Sequence, residues 1–525
     1  MDGNVKERND RSPIHFSMGL ALDFADFSPI FICKHNNQFL EAQMASSLSE
    51  LKPELLWKHF QEILKIPHCS KNEKPLGDYV LSVAEKNGCE ARRDEAGNVV
   101  IVKPATPGHE KAPGVVLQGH LDMVCEKNSD VEHDFSKDPI QARIEGEWVT
   151  AEGTTLGADN GIGVAAALAV LEDSDVVHGP LELLFTTDEE TGLNGANSLT
   201  SDFLKGRILL NLDSEEEGAF SIGCAGGADS DISLPVKREK AAGGDAYKIA
   251  LSRLRGGHSG IDIHTGRGNA VQLLARMLFG LEVPFRLVGL EGGNKHNAIP
   301  REAFATVILE KDQFEPMKKA LEERFKEIRF EFKAVEKDMA FSINAAEESP
   351  DNPMADTDRD RFLALAFGLP HGVQAMSQEI DGLVETSNNV AIVRCKENEA
   401  TVYTSTRSSI LSALEAVRAR IEAVSRLSGA RIKHLDGYPA WTPNLDSKIL
   451  ATMKKVYKSL TGKDAHVMAI HAGLECGIIG EKYEGMDMIS FGPELKNPHS
   501  PDEKVHFESV GRFWKLLLET LKELA

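Results

Sequence analysis

Cysteine is sparse in this chain. Seven cysteines in 525 residues, Cys33, Cys69, Cys89, Cys125, Cys224, Cys395 and Cys476, form no C-x-x-C pair and are odd in number. That pattern argues against a disulfide framework and predicts reduced thiols in a cytosolic protein. Positive charge is also short: 59 Lys and Arg stand against 81 Asp and Glu, a formal net charge of −22. Phosphate backbones and anionic lipid surfaces require a basic footprint, so neither nucleic acid nor a membrane surface is an expected partner. No apolar run reaches the roughly 20 residues of a membrane-spanning helix. The stretch "FSMGLALDFADFSPIFI" is broken by Asp23 and Asp26 and follows no basic n-region, so it reads as neither secretion signal nor anchor. Residues 1–43 are therefore taken as an N-terminal extension of unknown role, with a more domain-like pattern starting at Met44.

The rest is ordinary for a soluble globular protein, 42% apolar and 27% charged. Its length predicts two or three domains. Apolar spacing is helical from about 48 to 100, in "LLWKHFQEIL" and "LGDYVLSVAEKNG". Then "GVVLQGHLDMV" reads as a strand, "DNGIGVAAALAVLED" as a helix, and "GPLELLFTT" and "GRILLNLD" as strands. Strands alternating with helices predict an α/β layer architecture. The middle changes style. "KHNAIPREAFATVIL" followed by a helix is echoed by "TSNNVAIVRCKENEATVYTST" followed by "SILSALEAVRARIEAV", as an internally duplicated α+β insert would give. After "YPAWTP" the α/β style returns. The map is one domain in two parts, 44–225 and 435–525, interrupted by an insert over 226–434.

The chemistry-bearing residues stand where apolar runs end. "LLFTTDEETG" ends a strand in Asp188, Glu189 and Glu190, "GHLDMV" carries His120 and Asp122, "GADNG" Asp159, "LLNLD" Asp213 and "NPHSPDE" His499. Ligands gather beyond the carboxyl ends of parallel strands. So many acids in one place are tolerable only if cations sit among them. Mixed imidazole and carboxylate donors suit zinc, and also manganese or cobalt. The allotment is His120, Asp159, Glu190, Asp213 and His499 around two divalent ions, with Asp159 able to bridge them. Asp122, two residues from His120 on a strand, faces the same way and is placed to hold the other imidazole nitrogen. Glu189, next to a ligand but directed elsewhere, is placed to take a proton from the attacking water and return it to a leaving amine.

Together with "TTLGADNGIGVAAALA", "LLNLDSEEEG", "RGGHSGIDI", "HAGLECG" and "GPELKNPHSPDE", these motifs resemble the dinuclear-zinc exopeptidases from about residue 48 onward. Within them the match is to the aminoacyl-histidine dipeptidase (cytosol non-specific dipeptidase, peptidase D) branch. The resemblance implies an α/β catalytic domain, a mixed sheet flanked by helices, interrupted by an α+β lid. It implies the same five ligands with Asp159 bridging, catalytic carboxylates at Asp122 and Glu189, and a cis peptide between Asp159 and Asn160. From the lid it implies His258 as an oxyanion donor, Arg407 gripping the substrate carboxylate and Asn389 near it. Glu475 lies in a family-like motif without an assigned role. The expected activity is hydrolysis of dipeptides, of Xaa-His type such as β-alanyl-histidine and more broadly, by a hydroxide held between two ions. The alternative is an N-acyl amino acid deacylase or carboxypeptidase using the same site. A cytoplasmic monomer or homodimer acting on short peptides is expected.

Overall fold

The structure is a computed structural model that describes residues 47–241, 243–348 and 350–525. The extension at 1–43 lies outside the described residues. The fold is mixed α/β, with two large sheets among the described residues. One has eight strands in the order Glu90–Arg93, Val99–Lys103, Leu181–Thr186, Val115–His120, Ile208–Asn211, Asp487–Ser490, Ala219–Cys224 and His466–Ile470. Its centre is parallel: Val115–His120 lies between Leu181–Thr186 and Ile208–Asn211, all running the same way. These central strands are nearly continuous apolar runs because both faces are covered. Their carboxyl ends therefore finish together at one edge, which is where His120, the 188–190 acids and Asp213 follow.

The helix Ala158–Glu172 is buried on nearly every side, and its composition explains how. It is mostly Ala, Gly and Val, small enough to lie between the sheet and the helix Glu54–Ile63. A Cβ on Gly163 would stand 2.6 Å from the Leu212 carbonyl, so only glycine lets the helix approach the strand end this closely. The peptide between Asp159 and Asn160 is cis. Asn160 donates from Nδ2 to the Leu212 carbonyl at 2.7 Å, tying the turn with Asp159 to the strand end with Asp213.

The second sheet has the path Ala340–Ala345, Asp245–Ser252, Ala303–Leu309, Arg286–Gly292, Val384–Cys395, Glu399–Ser408, Gly226–Pro235 and Arg431–Tyr438, with Gly372–Met376 paired beside it. Read outward from the contact between Arg286–Gly292 and Val384–Cys395, the two halves match. Each runs second, third, first and last of its main strands, counted in chain order, and each has a helix after the third, Phe314–Glu331 or Leu411–Leu427. This inserted lid has its own apolar core, built on Leu251, Leu274, Leu290, Val307, Phe362, Val390 and Val402.

Two expectations need correction. The stretch from 48 to 100 is not helical throughout: after two helices it forms the edge strands Glu90–Arg93 and Val99–Lys103. Four- and five-residue edge strands carry too little period to announce themselves. The cysteines are not all thiols either, since Cys69 and Cys125 form a disulfide across 56 residues of sequence. The reason is tertiary. Residues around Cys69 run beside Met123, with the Met123 amide donating to the His68 carbonyl at 3.1 Å, and this brings the two Cα atoms to 5.7 Å. Cys89, Cys224, Cys395 and Cys476 are free. No helix among the described residues is long and apolar enough to cross a membrane.

Candidate functional site

Three strand ends and two loops meet at one edge of the eight-stranded sheet. His120 is the last residue of Val115–His120, and its Nε2 faces Asp159 Oδ1 at 3.2 Å and Asp213 Oδ1 at 3.3 Å. His499 arrives from a C-terminal loop, its Nε2 at 3.2 Å from Asp159 Oδ2 and 2.9 Å from Glu190 Oε1. Four groups of donors close enough to hold an ion result among the described residues: His120 with Asp159 and Asp213, His499 with Asp159 and Glu190, His120 with Glu189 and Glu190, and Glu73 with Asp122 and Asp188. The first two share Asp159, which offers one oxygen to each.

The electrostatics follow from so many acids meeting two imidazoles. Burial opposes a charged His120, yet Asp213, Asp122 and Asp159 hold its pKa well above the usual value. Burial likewise opposes a charged His499, but Asp159 and Glu190 push it up to about 11. Burial raises the Asp213 carboxyl to about 7 against the pull of His120. The carboxylates thus favour positive charge among them, which divalent cations supply with neutral histidines. Imidazole and carboxylate donors in two sets sharing one acid fit a pair of such ions.

Asp122 lies beneath His120 and is almost wholly buried. Its backbone carbonyl is 3.0 Å from His120 Nδ1 and its Oδ1 3.4 Å from the same atom, leaving Nε2 to face the acids. The carboxylate also accepts the backbone amides of Glu189 at 3.0 Å and Glu190 at 3.1 Å, and the Ser70 hydroxyl at 2.8 Å. Burial would raise its pKa, but His120 and these donors bring it to about 2. Asp122 therefore fixes both the imidazole and the backbone from which Glu189 and Glu190 project. Burial holds the Glu189 carboxyl well above its ordinary pKa; His120 opposes this, while Asp213, Glu475 and Glu190 add to it.

Arg407 and Asn389 lie elsewhere, on the nine-stranded sheet, and His258 lies on the short strand Gly257–His258, paired with Ala298–Ile299 in a separate two-stranded sheet. Arg407 pairs across strands with Ser387 on one side and Gly227 on the other, and its Nη1 donates to the Tyr438 hydroxyl at 2.6 Å. It is buried, and its Nε has no partner. Asn389 donates to the Ala298 carbonyl at 2.8 Å, and its Oδ1 is likewise buried without one. His258 accepts the amides of Gly260 and Ile261 on Nδ1 at 3.2 and 3.1 Å, so the neutral ring carries its proton on Nε2. Burial and then Arg407 lower its pKa to about 4. His258 thus shares its surroundings with Arg407, Asp262 and His296, not with the carboxylate cluster.

Sequence reasoning missed four residues here. Glu503 is buried and accepts the amides of Leu156, Gly157, Ala158 and Asp159 at 2.7, 3.0, 2.8 and 3.2 Å. It pins the Asp159 turn from a position four residues after His499, a long-range contact that the local sequence does not announce. Ser70 and Tyr438 carried no signal either. His471, in "HAGLECG", is buried with Nε2 at 2.8 Å from the Ser387 hydroxyl. Burial, then Arg407 and His258, lower its pKa to about 3. A histidine held neutral makes the unfolded chain the better proton binder below about pH 6.5. Stability should therefore fall as pH drops from about 6.5 towards the folded value, by up to about 1.4 kcal/mol per pH unit for this one group. Urea unfolding at pH 7 and pH 5 should show a smaller acid loss in His471→Gln than in the parent; equal losses would remove His471 as the cause.

The sequence model of peptidase family M20/M25/M40 matches residues 116–523. The chain is 45% identical over 482 residues to the cytosol non-specific dipeptidase of Escherichia coli (strain K12), covering 91% of this chain and 99% of that one. Among solved structures, aminoacylhistidine dipeptidase from Vibrio alginolyticus superposes with a TM-score of 0.83 at 46% identity, covering 91% of this chain and 98% of that one. The aminopeptidase PepT from Bacillus cereus ATCC 10987 shares the fold at 16% identity, with a TM-score of 0.53 and coverage of 90% and 99%.

Proposed function

Because this chain belongs to peptidase family M20/M25/M40 and is a hydrolase, we propose that it is a metal-dependent dipeptidase acting on Xaa-His and other dipeptides. The observation that carries this reading is the shared acid: each Asp159 oxygen lies 3.2 Å from a different histidine. His120, Asp159 and Asp213 would hold one divalent ion, and His499, Asp159 and Glu190 the other. Zinc is the ion proposed, with manganese or cobalt able to replace it. When bound, the pair supplies Lewis acidity to the peptide carbonyl and acidifies water.

This chain's own residues do the rest. Glu189 removes the proton of the attacking water and gives it to the departing amine, a task for which a carboxyl of raised pKa is suited. Asp122 keeps His120 in the required tautomer. His258, with its proton on Nε2, donates to the oxyanion once the lid meets the substrate. Arg407 grips the terminal carboxylate with its unpartnered guanidinium edge, and the unpartnered Asn389 Oδ1 would accept from a donor group of the substrate. We assign 44–225 and 435–525 to the catalytic domain and 226–434 to the lid, whose matched halves support an internal duplication. Anchors on the lid restrict the substrate to what fits beneath it, which favours dipeptides over longer chains. The proposed setting is the cytoplasm, as a monomer or homodimer.

The test is a panel of dipeptides including β-alanyl-histidine, with N-acyl amino acids and tripeptides beside them, run on metal-stripped and zinc-reconstituted protein. Dipeptide hydrolysis that appears only after reconstitution is expected. Faster turnover of N-acyl amino acids than of any dipeptide would replace this reading with a deacylase.

A further inference from the structure

Glu475 is fully buried, and no ion pair to its carboxyl is found among the described residues. It opens the helix Glu475–Lys482, directly after the 471–474 loop. Its Oε2 accepts the Thr186 hydroxyl at 2.6 Å and Gln118 Nε2 at 2.6 Å. Its Oε1 is buried without a partner. Both donors are next to the reacting residues. Thr186 is the register partner of His120 across the parallel pair and stands three residues before Glu189. Gln118 lies two residues before His120 and, by the two-residue alternation of a strand, on the same face. The chain of contacts continues: Gln118 Oε1 accepts Asn211 Nδ2 at 2.6 Å, and Asn211 ends the strand that delivers Asp213.

One carboxylate thus ties the three strand ends that carry His120, the Glu189–Glu190 pair and Asp213. Burying such a group with two donors is costly unless the tie it makes is needed. An apolar side chain would fill the space and leave the ends to be set by backbone bonds alone. We propose that Glu475 is a positioning residue, acting through Thr186 and Gln118 to hold His120 and the neighbouring acids at the spacing that metal binding and proton transfer require. The inference rests on the metal-dependent peptidase reading.

Glu475→Ala and Glu475→Gln separate the tie from the charge. The glutamine can accept both hydrogen bonds on one oxygen and place its amide where Oε1 stands. In Glu475→Ala we expect kcat to fall by at least about tenfold, as small misplacements at a reacting centre do, with KM little changed. The visible absorption of the Co2+-substituted protein should change with it, reporting altered ligand geometry independently of turnover. Glu475→Gln should keep the wild-type spectrum and most of kcat. Should the alanine variant fail to fold, Thr186→Val removes one bond of the tie at nearly constant volume and should shift the spectrum in the same direction. A folded alanine variant with unchanged kcat and spectrum would overturn the proposal, and so would a glutamine variant as impaired as the alanine one. Failure of the underlying reading looks different: wild-type protein would then show neither the Co2+ spectrum nor dipeptide hydrolysis.

Discussion

Glu189→Ala should reduce kcat on dipeptides by about two to four orders of magnitude, the range typical of a lost general acid–base, while both metal ions stay bound. The separation of the two effects follows from how residues 188–190 are held. The amides of Glu189 and Glu190 both donate to the Asp122 carboxylate, so the backbone is fixed whatever side chain stands at 189. From that backbone the Glu190 carboxylate reaches His499 at 2.9 Å and is the proposed ligand, while Glu189 approaches His120 less closely in a group with Glu190. Glu189 pairs with no histidine at that distance. Burial, opposed by His120 and reinforced by Asp213, Glu475 and Glu190, raises its pKa, so it exchanges a proton more readily than an exposed carboxylate. Elemental analysis for metal and steady-state kinetics on the same preparation check the prediction. Unimpaired kcat would end the proton-transfer role, and loss of metal would make Glu189 a ligand.

Much of this site was legible because its residues are local to strand ends. His120, Glu189, Glu190 and Asp213 each follow an apolar run closely, and a parallel sheet brings such ends to one edge without further information. Asp159 was legible because "GADNG" opens an unmistakable Ala-rich helix. Glu503 and Glu475 were not legible as supports, because each acts on a segment hundreds of residues away. The amides that Glu503 accepts lie at 156–159, and the donors to Glu475 at 118 and 186. Nothing in "SPDEK" or "HAGLECG" encodes those distances. The Cys69–Cys125 pair was hidden for the same reason, since only the packing of 68–70 against 123 makes it possible. The lid showed its repetition in sequence as an echo of strand and helix. The matched strand order on the two sides of the 292–393 contact is a property of pairing, which no local pattern reports.

Asp159→Ala should have the largest effect of any single ligand change, because it alone removes an oxygen from both donor sets. His499→Ala takes one donor from one set, and Asp213→Ala one from the other. Metal content in Asp159→Ala should therefore fall to one ion or none, and kcat/KM by roughly a thousandfold or more, given that the ions supply several kcal/mol of transition-state stabilisation. The fold should persist. Three of the four amides anchored by Glu503 belong to residues 156–158, and Asn160 keeps its bond to Leu212, so the turn stays tied at both ends. Stability should then fall both with and without metal, and by different amounts. Without metal, Asp159 faces both His120 and His499, which together hold its pKa below the usual carboxylate range against burial, so the stripped variant loses this contribution and should melt lower than stripped wild type. With metal, wild type gains stability in proportion to the logarithm of ion concentration over Kd, and the variant, binding more weakly, gains less. Thermal melts of both proteins across a zinc titration read this widening gap directly. Parallel titration curves for the two would show that Asp159 is not the shared ligand.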